Sequence, residues 1–214
     1  MQMTEITAAL TSEPEQMMRA VLRIFHFIGI TLGLGAATLL DLMIIRFFIG
    51  RPMTEQSVEL FEFLSSLVSV GLKLLWVTGL GLLWYYWMYE PIKLENEKVW
   101  AKMVIVGILT INGAYIHQTV LPFMGGQVGR TMLEGVSLVK KFLFVTTGMI
   151  SFVSWYGPLV IANVTQLDFQ VPMVQILIAY AMVLATVMVT AHVVLFGSEI
   201  ASFCRNWAYR RRSI

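Results

Sequence analysis

Charge is scarce in this chain of 214 residues: 13% are Asp, Glu, Lys or Arg, against 57% hydrophobic. Soluble domains average about 25% charged and about 45–50% apolar residues. Too few polar side chains are present to cover the apolar ones in water, which excludes a soluble globular domain and leaves an integral membrane protein. Cysteine is scarcer still. Cys204 stands alone, which excludes an internal disulfide and any multi-cysteine zinc or iron–sulfur centre. A basic leader is missing too, since MQMTEITAALTSEPEQMMRAVL is acidic and lacks a clean small-residue cleavage site, unlike a cleaved signal peptide. No stretch has the dyad alternation of a membrane β-barrel, and no nucleophile motif or nucleotide loop argues for an enzyme.

What the chain does have is long apolar runs, with a mean hydropathy of +0.75. A hydrocarbon core about 30 Å thick needs about 20 such residues per helix. The pattern predicts an all-α, five-helix membrane bundle forming a single domain, with helices over about 14–49, 54–89, 97–121, 131–164 and 171–207. Ser12 with Glu15, and Thr131 with Glu134, have capping-box spacing at the starts of the first and fourth helices. Gly50 lies past the end of the first, and Pro172 suits the first turn of the fifth. A kink is expected at Pro158. Residues 54–89 would reach about 54 Å, longer than the hydrocarbon. The amphipathic starts of the second and fourth helices, with Glu59, Glu62, Lys140 and Lys141, are therefore expected to project into water as a partner surface.

Basic residues divide unevenly between the two ends. Arg46, Arg51, Arg130, Lys140, Lys141, Arg205 and Arg210 to Arg212 fall on one side; Arg19, Arg23, Lys93, Lys98 and Lys102, diluted by acids, fall on the other. The positive-inside rule then puts the C-terminus in the cytoplasm and the N-terminus outside a bacterial inner membrane. WYYWMY, Trp84 to Tyr89, becomes an interfacial belt at the outer side. The short RRR run fits anionic lipid rather than nucleic acid.

Ionisable residues inside such a bundle are costly, and mark candidate sites. On the first helix, Gly33, Ala37 and Asp41 fall within about 60° of His26, making one small-residue seam with a titratable group at each end, about 22 Å apart. Such a seam admits either another backbone or a flat ligand. Lys102, Gly113 and His117 share a face of the third helix, Asn112 lies off it facing a neighbour, and His192 precedes Glu199 on the fifth. Lys73 sits near the middle of the second helix, where an ion pair with Asp41 or another partner is expected.

Three histidines suggest a metal, because imidazole suits iron, copper or zinc. Haem needs axial ligands, a slot for the ring and cations near its propionates. His26 with Arg23 and Lys102 would serve in the outer half, and His117 with His192 in the inner half. This reads as a b-type haem protein passing electrons, or the membrane anchor of a redox complex. Two rival readings remain open. One is a proton or metal-ion (copper) relay through Asp41, Lys73, His117 and His192. The other is a structural subunit of a larger assembly, itself able to form oligomers.

The stretches RIFHFIGITLGLGAATLLDLMIIRFF, GLGLLWYYW, WAKMVIVGILTINGAYIH and GMISFVSWYGPLVI resemble successive helices of bacterial membrane proteins related to the copper-resistance protein D family. That group includes the J-type protoporphyrinogen oxidase, and the fourth stretch resembles an uncharacterised branch of it. The resemblance covers about three-quarters of the chain in hydrophobic layout. It implies a role in haem binding and activity for the first-helix histidine and the third-helix lysine, here His26 and Lys102. The glycine-rich first helix and the additional His117 and His192 depart from the oxidase pattern.

Overall fold

A computed structural model describes residues 14–48 and 52–212, with side chains from 198 onward outside the description. The Ser12 cap, Gly50, and the side chains of Glu199, Cys204 and Arg205 lie outside the described residues. Five long helices make up the chain: α1 Pro14–Phe48, α2 Glu55–Tyr89, α3 Glu97–Gly125, α4 Leu138–Asn163 and α5 Met173–Arg212. Each contains a stretch long and apolar enough to cross a bilayer, so the protein is a multi-pass membrane protein.

The helices pack in an order that reflects their small residues. α1 packs most extensively on α2, then touches α4; α4 packs on α3 and α5, and α3 also meets α5. Gly29, Gly33 and Gly71 make the α1–α2 crossing. A methyl group on Gly71 would fall 2.4 Å from the Gly33 nitrogen and 2.8 Å from the Gly29 carbonyl oxygen. The notch at Gly33 is filled from the other side by the Trp155 ring of α4. The seam on α1 therefore receives a backbone and an indole, and leaves no slot there for a flat ligand. Ala37, Leu75, Leu109 and Trp155, one from each of α1 to α4, form the central core.

Two ends can be told apart without reference to the membrane side. At the upper end, Arg19 pairs with Glu90, Lys93 bridges Glu90 at 3.0 Å, and Lys98 bridges Asp168 at 3.1 Å. At the lower end, Met53, Phe61, Val120, Met124, Met132 and Phe144 form a second core. There the α1–α2 loop is stitched to the α3–α4 loop by Met53 N–H to Arg130 O and Gly129 N–H to Met53 O, both 2.9 Å.

Two expectations about boundaries change. α3 does not stop at Leu121: residues Ile116–Val120 form a π-turn, and the helix resumes as Leu121–Gly125. Pro122, which lacks an N–H and clashes in an α-helix interior, is accommodated in the first turn after that wider segment. α4 opens at Leu138 rather than Thr131. Glu134 does accept from Thr131 N–H at 3.2 Å, but Gly135 then takes φ +71°, closing a turn instead of starting a helix. The water-exposed overhang foreseen for the fourth helix is thus mostly turn, while α2 keeps its full length. Pro158 lies within α4 without interrupting it, and Pro172 immediately precedes α5, its carbonyl accepting from Gln175 and Ile176.

Candidate functional site

The three histidines occupy three different helix interfaces. His26 of α1 faces α2, with Nδ1 2.8 Å from Thr78 Oγ1. The Thr78 hydroxyl donates its one proton to Leu74 O at 2.6 Å, so it accepts from His26. That fixes the proton on Nδ1 and leaves the Nε2 lone pair free, the arrangement that orients a ligating imidazole. Thr78 is buried and its hydroxyl is anchored, so the imidazole is held from one side.

His117 lies in the π-turn of α3. Its Nε2 is 3.0 Å from Ser65 Oγ and 2.7 Å from Ser69 Oγ, both on α2. Two hydroxyls one helical turn apart therefore grip one nitrogen. π-turns occur often at functional sites, but this one places its histidine in a polar contact between helices, which is a sufficient role on its own. His192 of α5 donates Nδ1–H to Met188 O at 2.7 Å, one turn back along its own helix. Its Nε2 sits 3.3 Å from Thr146 Oγ1 and from Phe142 O, and its ring stacks on Phe142 with centroids 4.6 Å apart.

His117 and His192 thus answer to α2 and α4 respectively, and do not form a facing pair. Among the described residues no group of three His, Cys, Asp or Glu side chains is placed to hold a metal ion. Lys102 is half-buried on α3. Arg23 is exposed at the upper end of α1, where it lines an open cleft of about 540 Å³ with Glu15, Arg19, Tyr85 and Tyr89.

Asp41 and Lys73 are not paired. The ion pairs among the described residues are those of Arg19, Lys93 and Lys98, and neither Asp41 nor Lys73 makes a hydrogen bond or ion pair. Asp41 is half-buried near the lower end of α1, whereas Lys73 is exposed on the outer surface of α2. Ser57, Phe61, Leu64, Gly71, Leu75 and Thr78 make the buried face of that helix. Lys73 lies opposite it, in line with exposed Phe63, Val70, Val77, Leu80 and Trp84. The four residues of the supposed relay therefore line no common path: one points outward, and two are engaged at separate interfaces.

Other polar contacts bind helix to helix. Asn112 donates to Thr147 O at 3.0 Å, as expected of a residue facing a neighbour. Ser154 and Tyr180 join α4 to α5 at 2.7 Å, Thr38 and Tyr156 join α1 to α4 at 2.9 Å, and Trp76 donates to Thr110 at 2.9 Å. Thr78, Ser65 and Ser69 were absent from the residues singled out in the sequence. Ser65 and Ser69, spaced four apart on an apolar helix, were the available signal.

At the upper end, outside the spanning segments, Asp168 accepts from Asn96 Nδ2 at 2.9 Å. That hydrogen bond, together with the adjacent Lys98 ammonium, outweighs partial burial and holds the Asp168 carboxyl below its ordinary range. Lys98, itself buried, also donates to Val164 O at 2.9 Å. This network locks the α2–α3 loop onto the α4–α5 loop and is structural.

No family model matches the chain, and neither a curated protein nor a solved structure matches it.

Proposed function

We propose that the protein is a multi-pass subunit of a larger membrane assembly, held to another component through the outer face of α2. The observation that carries this reading is the direction of Lys73. A lysine at the centre of a spanning helix costs roughly 2.5–3.5 kcal/mol on insertion scales, and such residues normally face the bundle interior or a partner. Lys73 turns away from its own bundle. The other polar groups within the bundle mostly bind helix to helix, which suits a scaffold better than a relay. In this reading the membrane is a bacterial inner membrane and the lower end faces the cytoplasm, as the distribution of basic residues indicates. Exposed Glu59, Glu62 and Lys140 would then offer a second contact on that side.

The test is photo-crosslinking in native membranes from a reactive side chain at Val70 or Val77. A discrete protein adduct from both positions is expected. Labelling of lipid alone would overturn the reading.

A second reading retains a redox role: one b-type haem, or one metal ion, held through His26 Nε2, with electrons passed through it. The hydrogen-bond chain from His26 through Thr78 to Leu74 favours it, and so does the resemblance that singles out His26 and Lys102. His117 and His192 would have to give up their present contacts to serve as further ligands, and the α1 glycine seam is filled. A bound haem would supply one-electron chemistry; His26 would hold it, and Thr78 would keep the ring oriented. Optical spectra of the purified protein, oxidised and reduced, decide the matter. Soret, α and β bands that disappear in His26→Ala support haem, and a featureless spectrum from protein expressed with haem supplied removes it.

A further inference from the structure

The exposed face of α2 carries a single cation in an apolar strip, and its depth restricts what can lie against it. The aromatic run Trp84 to Tyr89 at the upper end of α2 is the kind of sequence that sits at a membrane interface. Lys73 is eleven residues below Trp84, about 16 Å along the helix axis, which is half of a hydrocarbon core about 30 Å thick. A lysine stem reaches only about 6 Å, so the ammonium cannot gain either headgroup layer. Above and below it the same face is Phe63, Val70, Val77, Leu80 and Trp84, all exposed. Among the described residues no group answers the charge, since Lys73 makes no hydrogen bond or ion pair with them.

We propose that this face receives a transmembrane helix of a different chain bearing one carboxylate at mid-depth, paired with Lys73. The proposal rests on the subunit reading above and names the chemistry of the partner. A second copy of this chain does not fit. His26 meets Thr78, and Gly33 meets Gly71, so α1 and α2 keep one antiparallel register. That register sets Asp41 level with Phe63, ten residues or about 15 Å from Lys73 along the axis. Glu62 lies a similar distance down α2 itself. The remaining described carboxylates belong to the two ends or to the loops. A copy in the same orientation keeps these depths, and an inverted copy mirrors them about the midplane. Neither brings an acid to Lys73. The flanking valines and leucine suit apolar helix packing, and the ion pair sets partner and register, as a polar group within an apolar helix interface can.

The experiment uses the full chain in phosphatidylcholine vesicles with labelled synthetic transmembrane peptides. These are leucine–alanine helices with a central Glu, with a central Gln, or with Glu displaced ten residues from the centre. Association is read by energy transfer. The central-Glu peptide is expected to bind at least tenfold more tightly than the other two, and Lys73→Met should reduce it to the central-Gln level. Lys73 is exposed and makes no hydrogen bond or ion pair among the described residues, so Lys73→Met should fold normally, and its unfolding curve checks this. Equal binding of central-Glu and central-Gln peptides would overturn the proposal. If crosslinks from Val77 still gave a protein adduct in native membranes, the subunit reading would stand and only the carboxylate class would fall. An adduct of twice the chain's mass would overturn the proposal in favour of a homodimer.

Discussion

Replacing Gly71 with alanine probes the closest approach in the bundle. The added carbon would lie 2.4 Å from the Gly33 nitrogen, 2.6 Å from its Cα and 2.8 Å from Gly29 O. Ordinary contact begins at about 3.4 Å, so α1 and α2 must separate by about 1 Å; a helix backbone cannot swing aside as a side chain can. A gap of that size forfeits about a quarter to a half of each contact's dispersion well, across the most extensive helix pair in the protein. Overpacking of this kind costs about 1–3 kcal/mol. Removing a glycine from a helix interior returns about 0.5–1 kcal/mol. At the middle of both ranges the collision wins, with a net loss of about 1 kcal/mol, or a fall of about 2–4 °C in unfolding midpoint for a chain of this size. Gly35, two residues from Gly33, is the control, because a methyl group there meets nothing within 4 Å, and Gly35→Ala should be neutral or stabilising. Gly33→Ala should fall between them, since its added carbon strikes the tip of the Trp155 ring at 2.3 Å, and a ring can tilt. Thermal unfolding in mild detergent, followed by tryptophan fluorescence, gives the order. If Gly71→Ala proves as stable as Gly35→Ala, the tight crossing is refuted, and with it the register that sets the depth of Asp41.

Other outcomes follow from particular contacts. The depressed carboxyl of Asp168 contributes stability that is complete above its unfolded pKa and is lost as pH falls through its lower folded value. Asp168→Asn should therefore reduce the unfolding midpoint at pH 7, and flatten its decline below about pH 4. The loss should stay under about 1 kcal/mol, because the side chain is 41% exposed. Ser154→Ala and Tyr180→Phe in a double-mutant cycle should show a coupling of about 0.6 kcal/mol, with about 1.7 as the ceiling for such membrane pairs; no coupling would mean the 2.7 Å contact does not join α4 to α5. Gly129 holds φ +82° in the lower loop, so Gly129→Ala should cost about 1 kcal/mol and speed hydrogen exchange at the Met53 amide, which that loop pins.

The five helices were legible because apolar length alone identifies them, and the second begins at Glu55, within one residue of its expected start. Two boundaries misled for a definable reason. Leu121 looked like an end because proline forbids an α-helix interior, yet a π-turn removes the constraint. Thr131 and Glu134 have the spacing of a cap and make one of its hydrogen bonds, but a glycine in the left-handed region follows and turns the chain. For the site, the histidines stood out while their partners did not. Whether Thr78 or Ser69 meets an imidazole depends on where two helices cross, and the periodicity of one helix says nothing of that. Lys73 was visible as a central charge. Its direction was not, because the stripe through Gly71 and Leu75 and the stripe through Lys73 and Val77 are both apolar enough to face a core.

The π-turn in α3 also acts as a phase corrector. Above it Ala101, Ile105, Leu109 and Asn112 are buried, and below it Val120 and Met124 are. In an unbroken α-helix Met124 would point about 120° away from Asn112, at 100° per residue. Five residues wound at about 4.4 per turn lag by about 90°, which brings Met124 back to within about 30° of the same side. One helix can thereby serve both the central core and the lower one. Deleting a single residue between Ile116 and Val120 would let the segment relax to α-helix with eleven steps from Asn112 to Met124, about 20° off the same side. The lower core and the Gly129 loop should then keep their fit, whereas straightening the turn with no residue removed would carry Met124 about 120° away.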